Sequence, residues 1–132
     1  MTTLETLKNQ AQIAMKKAYA PYSKFYVGVA LIDENNSIHL GCNVENSAYP
    51  EGLCAEAAAI ANMVLSGGKS IKKILIVSSG KLMVTPCGGC RQKIKEFSDK
   101  NTQILILHDN EVTQFNMNDL LPHSFDKTHL LK

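Results

Sequence analysis

The chain has 132 residues, 45% hydrophobic and 20% charged, which suits one ordinary domain with a packed core and excludes a disordered chain. Its 14 basic and 12 acidic side chains leave a net charge of +2. The basic residues are scattered, with Lys16-Lys17 and Lys72-Lys73 the tightest pairs, too thin a footprint for long nucleic acid.

The first element is a helix. Leu4, Leu7, Ala11, Ala14, Met15 and Ala18 recur at helical spacing and make one face apolar. Thr2 and Glu5 fit a capping box, and Pro21 closes the segment. Val27 to Ile32 reads as a strand buried on both faces. Asp33-Glu34-Asn35-Asn36 is a turn, and Ser37 to Val44 runs back as the second arm of an antiparallel hairpin. Ala55 to Leu65 is alanine-rich and helical, stopped by Gly67-Gly68. Ile74 to Val77 is a buried strand, Gly88 to Phe97 a helix, and Ile104 to Leu107 another strand. After the turn Asp109-Asn110-Glu111, Val112 to Asn116 forms a fifth, weaker strand. Met117 to Leu121 is one helical turn before Pro122, and the tail from His123 carries little pattern.

This order predicts an α/β fold, a three-layer α/β/α arrangement around a five-stranded mixed sheet, in one domain spanning residues 1–132. Strands three and four, joined through a helix, should be parallel with a right-handed crossover. Strand five must be antiparallel to four, because so short a turn cannot make a crossover. The N-terminus lacks a basic segment followed by an apolar run, so no signal peptide is expected. No apolar stretch approaches the ~20 residues of a membrane span. A cytoplasmic address follows, where clustered cysteines are more often metal ligands than disulfides.

The chemistry concentrates in Cys54-Ala55-Glu56 and Pro86-Cys87-Gly88-Gly89-Cys90. Three thiolates would leave a tetrahedral zinc with one open position for water. Glu56 would stand beside that water as a proton acceptor. Each cysteine lies where a loop enters a helix, whose partial positive charge favours thiolate over thiol. Three thiolates and Zn²⁺ sum to a formal charge of −1, so the helix ends are expected to offset part of an excess of negative charge.

Other readings of the same residues stay open. Cys42 could join the three in an inert all-sulfur site, which would make the chain a non-catalytic structural zinc module. Cys87 and Cys90 alone could be a redox pair, leaving Cys54 and Glu56 without a role. The cysteines could also merely pack, as Cys42 at a strand end is expected to do. The histidines His39, His108, His123 and His129 show no ligand spacing and read as surface or strand residues.

From Tyr22 to about Phe125 the chain resembles the small, homotetrameric, zinc-dependent cytidine deaminases. The resemblance rests on Pro21-Tyr22-Ser23-Lys24-Phe25, Gly41-Cys42-Asn43-Val44-Glu45-Asn46, Cys54-Ala55-Glu56 and Pro86-Cys87-Gly88-Gly89-Cys90-Arg91-Gln92, in that order. It implies Zn²⁺ held by Cys54, Cys87 and Cys90, with Glu56 as the catalytic proton shuttle. It implies Asn43 and Glu45 on the ribose hydroxyls, Phe25 stacked on the pyrimidine, and Ala55 contacting the base through its backbone. Tyr49 and Phe125 would close a neighbouring subunit's site, which makes a homotetramer the expected assembly. The implied activity is hydrolysis of cytidine and deoxycytidine to uridine and deoxyuridine with release of ammonia, a step of pyrimidine salvage. Deamination of another aminopyrimidine nucleoside or a nucleoside antibiotic is the alternative within that chemistry. Relatives acting on tRNA adenosine or deoxycytidylate generally place a helix between the last two strands, and the short turn here fits the free-nucleoside branch. One departure is Ala57, where many three-cysteine members carry an arginine that donates to the thiolates. The expectation is that helix ends and backbone N–H groups do more of that work here.

Overall fold

A computed structural model describes residues 3–131. The chain runs α1 (Leu4–Lys16), β1 (Val27–Asp33), β2 (Ile38–Cys42), α2 (Ala55–Leu65), β3 (Ile71–Ser78), α3 (Gly88–Glu96), β4 (Gln103–His108), β5 (Glu111–Phe115) and α4 (Met117–Leu120). Short 3₁₀ turns lie at Tyr49–Glu51 and Lys127–His129.

The sheet order is β2-β1-β3-β4-β5. β1 pairs antiparallel with both β2 and β3, β3 pairs parallel with β4, and β4 pairs antiparallel with β5. The mixed five-stranded sheet and its antiparallel last pair are as the sequence predicts. The final turn is tighter than expected, because pairing resumes at Glu111 opposite His108. Asp109 and Asn110, at φ 51° and 62°, form it alone, the left-handed pair that a two-residue hairpin turn requires.

Side chains alternate across the sheet, so each central strand feeds two cores. Leu7 and Ala11 of α1 pack with Ala30, Ile32, Leu75, Val77, Leu105 and Leu107 on one face. Val29, Leu31, Ile74, Ile76, Ile104 and Ile106 face α2, α3 and α4 through Ala59, Met63, Ile94 and Met117. That is the three-layer arrangement. Both packings need glycine. A Cβ on Gly28 would stand 2.1 Å from the Ala11 carbonyl oxygen, and one on Gly41 2.3 Å from that of Ala55.

α1 ends at Lys16, earlier than Pro21 suggests. Tyr19 leaves the helix to bridge Val44, its N–H donating to Asn43 O at 3.0 Å and its carbonyl accepting from Glu45 N at 2.8 Å. A long-range pairing thus overrides local helical pattern. Thr2 of the expected capping box lies outside the described residues; Thr3 caps α1, its Oγ1 accepting from Thr6 N at 3.1 Å. β3 starts at Ile71, three residues before its apolar run, because both neighbours extend it: Asp33 pairs with Ile71 and Gln103 with Lys73. No helix among the described residues is long and apolar enough to cross a membrane.

Candidate metal centre and active site

Two helix starts meet at the site. Cys54 is the N-cap of α2 and Cys87 the N-cap of α3, and neither side chain is used for capping. Cys90 lies one turn into α3 and is buried. The sulfurs of Cys54, Cys87 and Cys90 all lie within 4.8 Å of one another. Two contacts bring them together. Gly41 lets the first turn of α2 settle onto β2. Arg91 clamps the approach to α3, its Nε on Pro86 O and Nη1 on Leu120 O at 2.7 Å, and Nη2 on Thr85 Oγ1 at 2.8 Å. Its guanidinium serves backbone and hydroxyl acceptors, so it is not the missing arginine that would donate to the thiolates.

The electrostatics depart from the expectation that helix ends favour all three thiolates. Only Cys87 is lowered, chiefly by the nearby Cys90 backbone N–H. Burial pushes the Cys54 thiol up, and the nearby Cys87 and Glu56 add to this. Burial pushes Cys90 far up, with Glu56 and the other two cysteines adding repulsion. A backbone N–H therefore helps one sulfur, and the other two need a cation. Three crowded sulfur donors whose charges oppose one another fit a soft divalent metal, and a tripod of thiolates suits zinc with a fourth corner left open. Cys42 sits half-buried at the end of β2 and is not in the group, which among the described residues has three members. The all-sulfur alternative finds no fourth ligand there.

Glu56 lies in the first turn of α2 and is 5% exposed. Burial raises its pKa above the usual carboxylate range, against smaller opposing effects from its own backbone N–H, Cys90 and Lys93. Its immediate successor, Ala57, is half-buried. Ala55 is 1% exposed with its carbonyl turned to Gly41. Its N–H is one of those that a helix start leaves without an intrahelical partner.

A cleft of about 340 Å³ is lined by Tyr22, Ser23, Glu45, Asn46, Tyr49 and Gly52. It gathers Glu45 and Tyr49 but not the cysteines. Glu45 Oε1 accepts from Tyr22 N at 3.0 Å and Ser23 N at 3.1 Å, and Oε2 accepts from Ser23 Oγ. The Ser23 hydroxyl foremost, then the Ser23 and Tyr22 N–H groups, hold its pKa below the usual carboxylate range. Asn43 is similarly engaged: Oδ1 accepts from Val27 N and Nδ2 donates to Phe25 O, both at 2.8 Å. The Phe25 ring packs over Gly80 and is 36% exposed.

Tyr49 stands 75% exposed, its ring 5.9 Å from that of Tyr22. Phe125 is 57% exposed and stacks on His129 at 5.1 Å. The tail, weakly patterned in sequence, is docked on α3: Gln92 Nε2 donates to Phe125 O at 2.8 Å and Lys95 pairs with Asp126 at 3.9 Å. Gln92, Arg91 and Ser23 are the residues whose parts sequence reasoning missed. All three stand inside the quoted motifs, but their partners are far along the chain.

Residues 1–106 match the family model described as "Cytidine and deoxycytidylate deaminase zinc-binding region". The chain is 39% identical over 127 residues to the cytidine deaminase of Mycoplasma genitalium, covering 95% of this chain and 97% of that one. It is 38% identical over 128 residues to that of Sporosarcina psychrophila, covering 96% and 94%. Its fold superposes on the cytidine deaminase structure from Burkholderia pseudomallei with a TM-score of 0.87 at 34% identity, covering 94% of this chain and all of that one. The corresponding figures for the Mycobacterium tuberculosis structure are a TM-score of 0.81 and 34% identity, covering 95% and 98%.

Proposed function

Because the chain belongs to the cytidine and deoxycytidylate deaminase family, we propose how its residues divide the work of a zinc-dependent cytidine deaminase. The enzyme hydrolyses cytidine and deoxycytidine to uridine and deoxyuridine and releases ammonia. The observation that carries the assignment is the meeting of three sulfurs within 4.8 Å, beside a carboxyl buried on the first turn of the same helix as Cys54.

Cys54, Cys87 and Cys90 hold the zinc, which when bound supplies the Lewis acidity that makes water a nucleophile near neutral pH. Glu56 accepts the proton of the attacking water and delivers it to N3 of the pyrimidine. Once the water oxygen has bonded to C4, Glu56 takes the remaining proton of that C4 hydroxyl and hands it to the amine as the C4–N4 bond breaks and the C4 carbonyl forms, so one carboxyl serves both transfers. Its raised pKa suits this double duty, since a less acidic carboxyl takes up a proton more readily between the two transfers. The Ala55 N–H orients the base, and Phe25 stacks on its face.

Asn43 and Glu45 hold the ribose. Three of the roughly four acceptor sites of a carboxylate are already occupied in Glu45. One free acceptor grips one hydroxyl, which supports turnover of both ribosides and deoxyribosides.

Residues 1–132 act as one catalytic domain, and the active enzyme is a homotetramer in which Tyr49 and Phe125 complete a neighbour's site. Two large aromatics left mostly exposed on the single chain support that reading. A cytoplasmic place in pyrimidine salvage fits a free-nucleoside substrate. Incubating purified protein with cytidine, following ammonia release, counting zinc per chain and measuring mass by light scattering tests these statements together. Ammonia release with one zinc per chain is expected, and a metal-free chain that releases none would overturn the assignment. A fully active monomer would overturn the shared site alone.

A further inference from the structure

The turn at Tyr22–Lys24 carries a hydroxyl with no part in the chemistry above. Ser23 Oγ accepts from Phe25 N at 3.0 Å and donates to Glu45 Oε2. An N–H arriving on one side of a hydroxyl occupies a lone pair, so the O–H is directed away from it, here onto the carboxylate. Lys24 follows at φ 58°, a left-handed conformation uncommon for a residue with a side chain. The Lys24 N–H holds Ala20 O at 3.0 Å across the same turn. Ser23 is exposed in the wall of the cleft, so its bond to Glu45 is not explained by burial of a polar group that must find a partner.

With Oε1 taken by two backbone N–H groups, the acceptor left to Glu45 lies on Oε2, the oxygen that Ser23 holds. The geometry points to Ser23 as a positioning residue: its hydroxyl fixes the direction in which Glu45 presents its one free acceptor to a sugar hydroxyl. Ser23 touches no reacting atom and acts through Glu45 alone. This rests on the reading of Glu45 as a ribose contact.

The test is a double-variant cycle on cytidine, with kcat and KM measured for Ser23→Ala, Ser23→Thr, Glu45→Gln and Ser23→Ala/Glu45→Gln. Removing a hydrogen bond to a charged group should lower kcat/KM about tenfold or more in Ser23→Ala, carried mainly by KM. Ser23→Thr keeps the hydroxyl and should recover most of the loss. The double variant should be no worse than Glu45→Gln, because the serine has nothing left to position. A double variant whose loss is the product of the two single losses would overturn the proposal while leaving Glu45 on the ribose. Unchanged kcat/KM in Ser23→Ala would overturn it as well. A Glu45→Gln enzyme with wild-type kcat/KM would instead remove the ribose reading itself, and this inference with it.

Discussion

Gly41 on β2 lies directly beneath Ala55, the first residue of α2: a methyl group on the glycine would stand 2.3 Å from the Ala55 carbonyl oxygen and 2.4 Å from the Ala59 nitrogen. Neither obstacle is a side chain that can swing aside. The contact sets the height of α2 above the sheet, and with it the positions of Cys54 and Glu56. Gly41→Ala should therefore cost about 2 kcal/mol or more of stability through overpacking. It should also weaken zinc retention, read as metal per chain after dialysis against a chelator. A Gly41→Ala protein that keeps its melting temperature and its metal would show that α2 is free to shift.

Glu56 gives the sharpest kinetic expectation. Glu56→Gln keeps the volume and removes the proton carrier, so turnover should fall by roughly 10²–10⁴, the usual worth of general acid–base catalysis. Folding and zinc content should be unchanged. Substantial residual turnover in this variant would place proton transfer elsewhere.

The pH profile follows from the same burial. Glu56 must be ionised to accept the water proton, and burial lifts its pKa above the ordinary 4.5. Zinc with three thiolates carries a formal charge of −1, so the filled site does not reverse that direction. The acidic limb of kcat/KM should therefore lie above pH 4.5. A profile flat down to that value would mean that the carboxyl is well solvated in the working enzyme.

The metal set can be tested by subtraction. Cys87→Ala removes the sulfur that the Cys90 N–H stabilises and should release zinc. Cys42→Ala should keep one zinc per chain, since Cys42 is outside the three-sulfur group. Loss of metal from the Cys42 variant would restore the structural-zinc alternative.

A buried pair outside these motifs contributes to stability in acid. His39 Nε2 lies 2.7 Å from Asp33 Oδ2, and Asp33 Oδ1 accepts from Asn35 N and Ser37 N at 2.8 and 3.0 Å. Burial alone would raise the Asp33 pKa, but the His39 hydrogen bond and the two N–H groups outweigh it and bring the value below 3.8. A lowered carboxyl stabilises the fold above its unfolded pKa and stops doing so as pH falls through its folded value. Asp33 should therefore hold the hairpin at neutral pH and release it only below about pH 3.8. Asp33→Ala should cost about 2 kcal/mol at pH 7, the scale of leaving buried hydrogen-bond donors without their acceptor, and chemical denaturation at pH 7 and pH 3 reads the difference. An equal loss at both values would remove the charge from the account.

The hairpin, the parallel β3–β4 unit and the starts of α2 and α3 were legible in the chain because each is written in local spacing: alternating apolar runs, glycine stops, a proline before a cysteine. The three cysteines whose sulfurs meet, and the buried glutamate on the helix that Cys54 caps, were legible for the same reason, as short motifs whose residue types have few other uses together. What spacing does not carry is the state of those groups. A helix start says that thiolates are favoured, and only the packed structure shows that burial opposes this strongly enough to raise Cys54 and Cys90 and not Cys87. Spacing also does not name partners across the chain. That α1 breaks at Tyr19 to meet Val44, that Gly41 seats α2, that Gln92 docks the tail and that Ser23 holds Glu45 depends on chain segments brought together by the sheet. Local sequence fixes which elements form, because propensity and periodicity act over a few residues; tertiary packing decides ionisation and aim, because desolvation and long-range hydrogen bonds exist only once the layers close.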